Sequence, residues 1–237
     1  NNITNDNVIR SQMLIDEGDP FSPLLLAKSM NELKSRNIFA KVGNKTYMGS
    51  DSGLKIIDIV VEEKSTGELA ASAGVGTEGT SFAVGIAENN FMGRGVKVNS
   101  NLEISGEAIR GQVSVTNPNY NYSGNSLSGS LESIKIDKLT DSGYETTKTG
   151  FTLGTGFEQY EDVFISPGIS TYYESLSANS TASKSIKKQE GNYFDSYLNY
   201  AITLFLNDEL ELAQNHFNSY LTLFSKAGGA TPEIDPN

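Results

Sequence analysis

The sequence predicts an α+β unit followed by the wall of an antiparallel transmembrane β-barrel. Period-2 alternation over residues 68–116 predicts the wall. A helix-helix-strand-strand pattern ahead of it predicts the smaller unit. Strand side chains point alternately to opposite faces. Leu69, Ala71, Ala73 and Val75 share one parity, as do Phe82, Val84 and Ile86, with Ser81, Ala83, Gly85 and Ala87 between the latter. Val96, Val98, Leu102 and Ile104 alternate with Lys97, Asn99, Asn101 and Glu103. Ile109, Val113 and Val115 alternate with Arg110, Gln112, Ser114 and Thr116. Each segment has about ten residues, the length that crosses a bilayer at a steep tilt.

Composition narrows the partners. A net charge of −11 in 237 residues argues against a nucleic-acid binder, which would carry basic patches. No apolar run approaches the ~20 residues of a transmembrane helix. A mean hydropathy of −0.32 is compatible with strands apolar on one face only. With no cysteine, disulfides and thiolate metal sites are excluded. The chain starts at Asn1 without a signal peptide and reads as a fragment.

Residues 1–35 read as two helices. Thr4 or Asp6 is placed to cap the first, which carries Val8, Ile9, Met13 and Leu14. After the break at residues 16–20, Ser22 caps a second helix with Pro23 at its first position and Leu26, Met30 and Leu33 on one face. A short strand follows at Ile38, Phe39, Ala40, Lys41 and Val42, then a turn-rich loop over 43–53 and a strand over 54–63. Beyond Thr116 the strands continue. A fifth opens at Leu127, Gly129 and Leu131 and shifts parity to Ile134 and Ile136, as at a bulge. A sixth runs from Thr149 to Phe157, and a seventh from Val163 to Tyr173, interrupted at Pro167. A long loop over 177–192 precedes an eighth containing Phe194, Leu198, Tyr200, Ile202 and Leu204.

The turns at 89–94, 117–125 and 157–162 carry Phe91, Tyr120, Tyr122, Phe157 and Tyr160, rings that suit a membrane–water boundary. The opposite connections, 138–144 and 177–192, are longer and polar. A soluble antiparallel barrel or sandwich also alternates, but the asymmetry between turns and loops favours the membrane. From Asp208, Leu210, Ala213, Phe217, Tyr220, Leu221 and Phe224 repeat with helical period up to Gly228-Gly229. A helix there has no place in a barrel wall.

Catalytic chemistry finds little support. Gly74, Gly76 and Gly79 form G-x-G-x-x-G, but residues 80–86 alternate as a strand, whereas a pyrophosphate cradle needs a helix there. Asp16, Glu17 and Asp19 lack the ligand spacing of a calcium loop and read as a helix end. His216 is the single histidine that a Ser-His-Asp triad or a histidine metal site would need, and it sits on the anomalous tail and reads as surface. Glu62/Glu63 and Glu161/Asp162 sit at strand ends or turns, where solvated carboxylates are ordinary. The first wall strand is more informative. Its side chains are small, and Gly74 and Gly76 weaken its pairing. A weak seam presents unpaired N–H and C=O groups to another strand. A thin strand within a stable barrel is the other reading.

Phe91-Met92-Gly93-Arg94-Gly95 and Ser114-Val115-Thr116-Asn117-Pro118 with Tyr120 resemble the opening barrel strands of the BamA-like outer-membrane barrel assembly family. Asp16-Glu17-Gly18-Asp19-Pro20-Phe21, Ser35-Arg36-Asn37-Ile38-Phe39-Ala40-Lys41-Val42 and Val60-Val61-Glu62-Glu63-Lys64 resemble the last POTRA domain preceding such a barrel. The resemblance runs from residue 1 to about 204. It implies a last POTRA domain at 1–66 without its first strand and the N-terminal half of a sixteen-stranded barrel at 67–206, and the atypical helical tail at 207–237 falls outside it. The implied activity is non-enzymatic: folding and inserting β-barrel proteins into the bacterial outer membrane by strand templating at a lateral gate. The templating edge would be Leu69, Ala70, Ala71, Ser72, Ala73, Gly74, Val75 and Gly76. Phe39, Ala40, Lys41 and Val42 would form a POTRA edge strand in the periplasm. Implied partners are unfolded outer-membrane proteins, accessory lipoproteins, periplasmic chaperones and outer-membrane lipid, with no cofactor, metal or nucleic acid. The alternatives are a translocation-assembly subunit, a two-partner-secretion transporter and a passive porin.

Overall fold

The computed structural model describes residues 3–51, 53–76, 79–160, 163–206 and 213–223. Two helices begin the chain, α1 (Asp6–Arg10) and α2 (Pro23–Ser35), followed by β1 (Phe39–Met48) and β2 (Lys55–Glu63). Then come β3 (Gly67–Gly76), β4 (Gly79–Phe91), β5 (Val96–Ser105), β6 (Ala108–Asn117), β7 (Ser126–Lys138), β8 (Tyr144–Tyr160) and β9 (Val163–Ala178). A short helix, α3 (Lys184–Lys188), β10 (Gly191–Leu206) and β11 (Ala213–Leu223) complete them.

The N-terminal unit has a small apolar core. α2 starts because Ser22 accepts a hydrogen bond from the Leu25 amide and Pro23 occupies the first turn, where its missing N–H is not needed. Leu26, Met30 and Leu33 face inward and pack with Val8, Ile38 and Phe39. Ile57, Ile59 and Val61 close this core from β2. Ser29, fully buried, donates to the Leu25 carbonyl and accepts from the Leu14 amide, both at 2.8 Å. Three local expectations are corrected. Asn5, rather than Thr4 or Asp6, caps α1, and the helix ends at Arg10, before Met13 and Leu14. β1 extends to Met48, through much of the expected loop, because its antiparallel register with β2 continues to Met48↔Lys55.

The remaining strands form one antiparallel sheet ordered β11-β10-β9-β8-β7-β6-β5-β4-β3, each beside its sequence neighbour. Its register gathers the apolar residues on one face: Phe82↔Ile104↔Ile109, Val113↔Leu131↔Phe151 and Ile169↔Leu198. These side chains are exposed, Phe82 at 61% and Leu131 at 65%. The other face is concave and mostly polar or small, and holds a cavity of about 470 Å³. Among the described residues no second layer covers the apolar face. A soluble sandwich would bury it against another sheet or helix, so a single layer greasy on its convex side fits a wall facing lipid.

Four expectations for the wall change. β7 keeps one register with both neighbours, so Ile134 and Ile136 turn to the concave face without a bulge. β9 runs through Pro167. Its ladder with β8 passes from Gly154↔Gly168 to Phe157↔Ile165, spanning the residue that has no N–H to donate. The long connection over 177–192 is shorter than expected and contains α3, and Asn179 ties it to the β7–β8 turn through Gly143 O and Leu139 O. Residues 213–223 form strand β11, not a helix, paired from Ser196↔Leu223 to Leu206↔Ala213. The ladder offered by β10 outweighs a helical spacing of apolar residues. The rest of the expected helix lies outside the described residues.

The N-terminal unit is fastened to the wall at the β4–β5 turn. The Asn5 amide donates to Gly93 O at 2.7 Å. Asn90, nearly buried, donates from Nδ2 to Thr4 Oγ1 and accepts from the Gly95 amide at Oδ1. Glu88 accepts from Thr66 Oγ1 and from the Asn90 amide. From β2, the Glu63 carboxylate receives the Ile3 and Thr4 amides. A second tie runs from Asn119 Nδ2 to Ser11 O. Gly93 is required at its turn twice over. Its φ is +71°, and a Cβ there would stand 1.9 Å from Ile3 O.

Three outcomes follow from this packing. Leu33→Ala is expected to destabilise the N-terminal unit by about 2–5 kcal/mol, read as faster amide exchange throughout α2 and β1 with β4–β10 unchanged. Gly93→Ala is expected to displace residues 3–5 and expose the Asn5 amide to rapid exchange. The two amides hold the Glu63 carboxyl below its ordinary value of 4.5. The anchor at residues 3–4 is therefore complete above that value and is lost as pH falls through the depressed one. Exchange of those amides measured across acidic pH should rise accordingly, and Glu63→Gln should flatten the profile.

Candidate functional site

Among the described residues β3 is one edge of the sheet and β11 the other. All ten residues of β3 register with β4, from Gly67↔Glu88 to Gly76↔Gly79, and no strand lies on its other side among the described residues. In an antiparallel pair only alternate residues direct their backbone groups toward the neighbour. The other half of β3's N–H and C=O groups therefore face outward from the sheet. Every β3 residue is exposed.

The strand's two faces differ. Leu69, Ala71, Ala73 and Val75 continue the apolar convex face beside Ile86, Val84 and Phe82. Leu69 and Val75 at its ends are 76% and 85% exposed. Ala70, Ser72, Gly74 and Gly76 take the concave side. All eight residues of the expected edge thus lie on one strand, alternating between the faces as the sequence implies. The register ends at Gly76↔Gly79, and Gly79 has φ +84°. The G-x-G-x-x-G therefore passes from strand to strand and offers no helix N-terminus for a phosphate.

Beside β3 the concave cavity is floored by two rows across the sheet. One runs Ser72↔Ala83↔Glu103↔Arg110↔Ile134, the other Ala70↔Gly85↔Asn101↔Gln112↔Glu132. Small residues occupy β3 and β4, and polar ones begin at β5. Arg110 and Glu103 approach to 3.7 Å. Asn101 leans across Gly85, with Oδ1 2.7 Å from where a Cβ on that glycine would stand. Alternation alone could place these residues on one face, but only the register could align them in rows.

The second expected edge is less uniform. Phe39 is buried in the N-terminal core, and the register slips between Phe39 and Lys41, leaving Ala40 at a bulge. Lys41 is tied to Glu62 at 2.6 Å across the β1–β2 pair, and Val42 packs against the core. Only the stretch from Lys41 onward is regular β1 edge. Asp16, Glu17 and Asp19 do not converge: Glu17 pairs with Arg10 at 2.9 Å, while Asp19 accepts from the Asp16 amide. His216 lies on β11 opposite Thr203. Glu161 and Asp162 lie outside the described residues.

Comparison with known proteins places this architecture. Residues 90–210 match the Omp85 superfamily domain. A putative outer membrane protein assembly factor of Treponema pallidum is 32% identical over 112 residues, 44% of this chain and 13% of that protein. Outer membrane protein assembly factor BamA of Nitratidesulfovibrio vulgaris is 26% identical over 213 residues, 89% of this chain and 26% of that one. The chain thus spans about a quarter or less of the length of these relatives. Among structures, BamA from Haemophilus ducreyi lacking POTRA domains 1–3 superposes with a TM-score of 0.71 at 19% identity, over 93% of this chain and 46% of that one. CdiB from Acinetobacter baumannii gives 0.53 at 11% identity, over 86% and 41%. The single-layer antiparallel wall has the BamA barrel fold in part, and with the domain match extending over more than half of its residues, the chain belongs to the Omp85 superfamily.

Proposed function

We propose that this chain is part of an outer-membrane protein assembly factor that inserts β-barrel proteins by templating their strands on β3. The observation that carries the reading is the edge itself: ten residues with one neighbour among the described residues, in a wall whose convex face is apolar. An incoming strand would complete the ladder by β-augmentation. In lipid the incentive is large, because backbone groups without a partner cost several kcal/mol each there. Relatives named as outer membrane protein assembly factors support the same reading.

On this reading the wall sits in the bacterial outer membrane and unfolded outer-membrane proteins are the substrates. No enzymatic step is involved, since the substrate's own folding supplies the free energy. The N-terminal unit is a POTRA-type domain on the periplasmic side. Two helices over a small antiparallel sheet support that assignment, as does the 93% of the chain matched to a BamA structure, because residues 67–237 alone are about 72% of it. Its β1 edge from Lys41 onward would receive accessory lipoproteins, chaperones or unfolded chain.

The test is photo-crosslinking in the full-length protein with a probe at Ala71 while a barrel substrate is synthesised. The expected product joins β3 to the closing strand of the substrate. A product with a secreted, non-barrel chain alone would indicate a transporter instead. Steady ion conductance without any substrate crosslink would indicate a pore.

A further inference from the structure

We propose that the strand taken up at β3 carries a basic side chain on its concave face, which lies across Ser72 and Ala83 and pairs with Glu103. The inference rests on the assembly reading above and adds a determinant of which strands are accepted. A strand laid against β3 sets one concave-facing residue beside Ser72, at the open end of the row Ser72↔Ala83↔Glu103. Its backbone would then stand three strand spacings from β5, about 14 Å. Between them are only a hydroxymethyl and a methyl group. An arginine or lysine stem extended over these small residues meets the Glu103 side chain reaching from the other side.

Charge selects the occupant. The cavity is lined by two carboxylates, Glu103 and Glu132, and one guanidinium, Arg110. The approach of Arg110 to Glu103 is long, 3.7 Å, and Glu103 keeps 41% of its side chain exposed. A second cation therefore finds an accessible carboxylate. In the next row Asn101, leaning over Gly85, offers a further acceptor toward the edge. The competing occupant is aromatic. Elsewhere on this face Tyr172 crosses Gly150, approaching to 2.3 Å of where a Cβ would stand, with Lys148 Nζ 4.4 Å from the ring centroid. An aromatic ring in the Ser72 row would leave the exposed part of the Glu103 carboxylate without a second cation beside Arg110, which is why the basic side chain is favoured.

The experiment uses the full-length protein in lipid nanodiscs. The probes are synthetic eleven-residue alternating peptides, identical except for Arg, Ala, Tyr or Glu at one concave-facing position. A photoprobe at Ala71 fixes the register, and fluorescence anisotropy gives the affinities. The Arg peptide is expected to bind about tenfold more tightly than the Ala peptide. Glu103→Gln should abolish that difference without weakening the Ala peptide, and Glu103→Arg should favour the Glu peptide. Ser72→Phe, which blocks the path and keeps the carboxylate, should also remove the Arg preference. A preference for Tyr, or an Arg preference unchanged in Glu103→Gln, overturns the inference. Equal binding of all four peptides with crosslinks at β3 overturns it while leaving the assembly reading in place. Absence of any peptide crosslink to β3 overturns both.

Discussion

The antiparallel hydrogen-bond ladder from β3 to β11 is the constraint on which the rest of the wall depends. The wall has no interior core to hold it. The described apolar core lies almost wholly in the N-terminal unit, while most of the wall's large apolar side chains are exposed on its convex face. Its cohesion therefore comes from backbone pairing and from cross-strand contacts on each face. Net contributions of about 0.5–1.5 kcal/mol per hydrogen bond in water accumulate over nine strands. They matter more in lipid, where no solvent substitutes for a missing partner.

Among the described residues the same ladder leaves β3 and β11 as edge strands. β4 to β10 each pair on both sides among the described residues, and β3 pairs on one. Soluble proteins blunt such edges with charge, proline or bulges. β3 has no proline, one charge near its start at Glu68, and an unbroken register with β4. β1 shows the contrasting treatment, with a bulge at Ala40 and an ion pair at Lys41. Two edges of one chain are thus managed differently, and the less protected one belongs to the membrane wall.

The junction between the unit and the wall gives this edge a fixed setting. Asn90, Gly93 and Glu88 hold the N-terminal segment beside the first wall turn, and the strand that follows the unit is β3 itself. These hydrogen bonds set the start of β3 beside the turn. The sequence contained the residues for this junction, but not their pairing. Asn90 and Thr4 are 86 positions apart, and nothing in their local patterns marks them as partners.

Alternation and turn chemistry made most of the wall legible in advance, because a strand with one lipid face and one polar face must repeat with period 2. β3 to β6 and β8 to β10 were placed by that rule, as was the smallness of β3. It failed where apolar residues occur on both faces. Ile134 and Ile136 looked like a parity shift, yet they lie on the concave face of a regular strand. It failed again at residues 213–223, where spacing suggested a helix and pairing with β10 made a strand. Over β3 to β6 and β8 to β10 the sequence by itself determined where strands form and which of their faces is apolar, since there both are local properties of a chain with two-sided solvation. Tertiary structure alone decided the register that lines Ser72, Ala83 and Glu103 into a row, and the contact that locks Gly93 under Ile3. Those depend on where distant backbones come to lie, which no local period records.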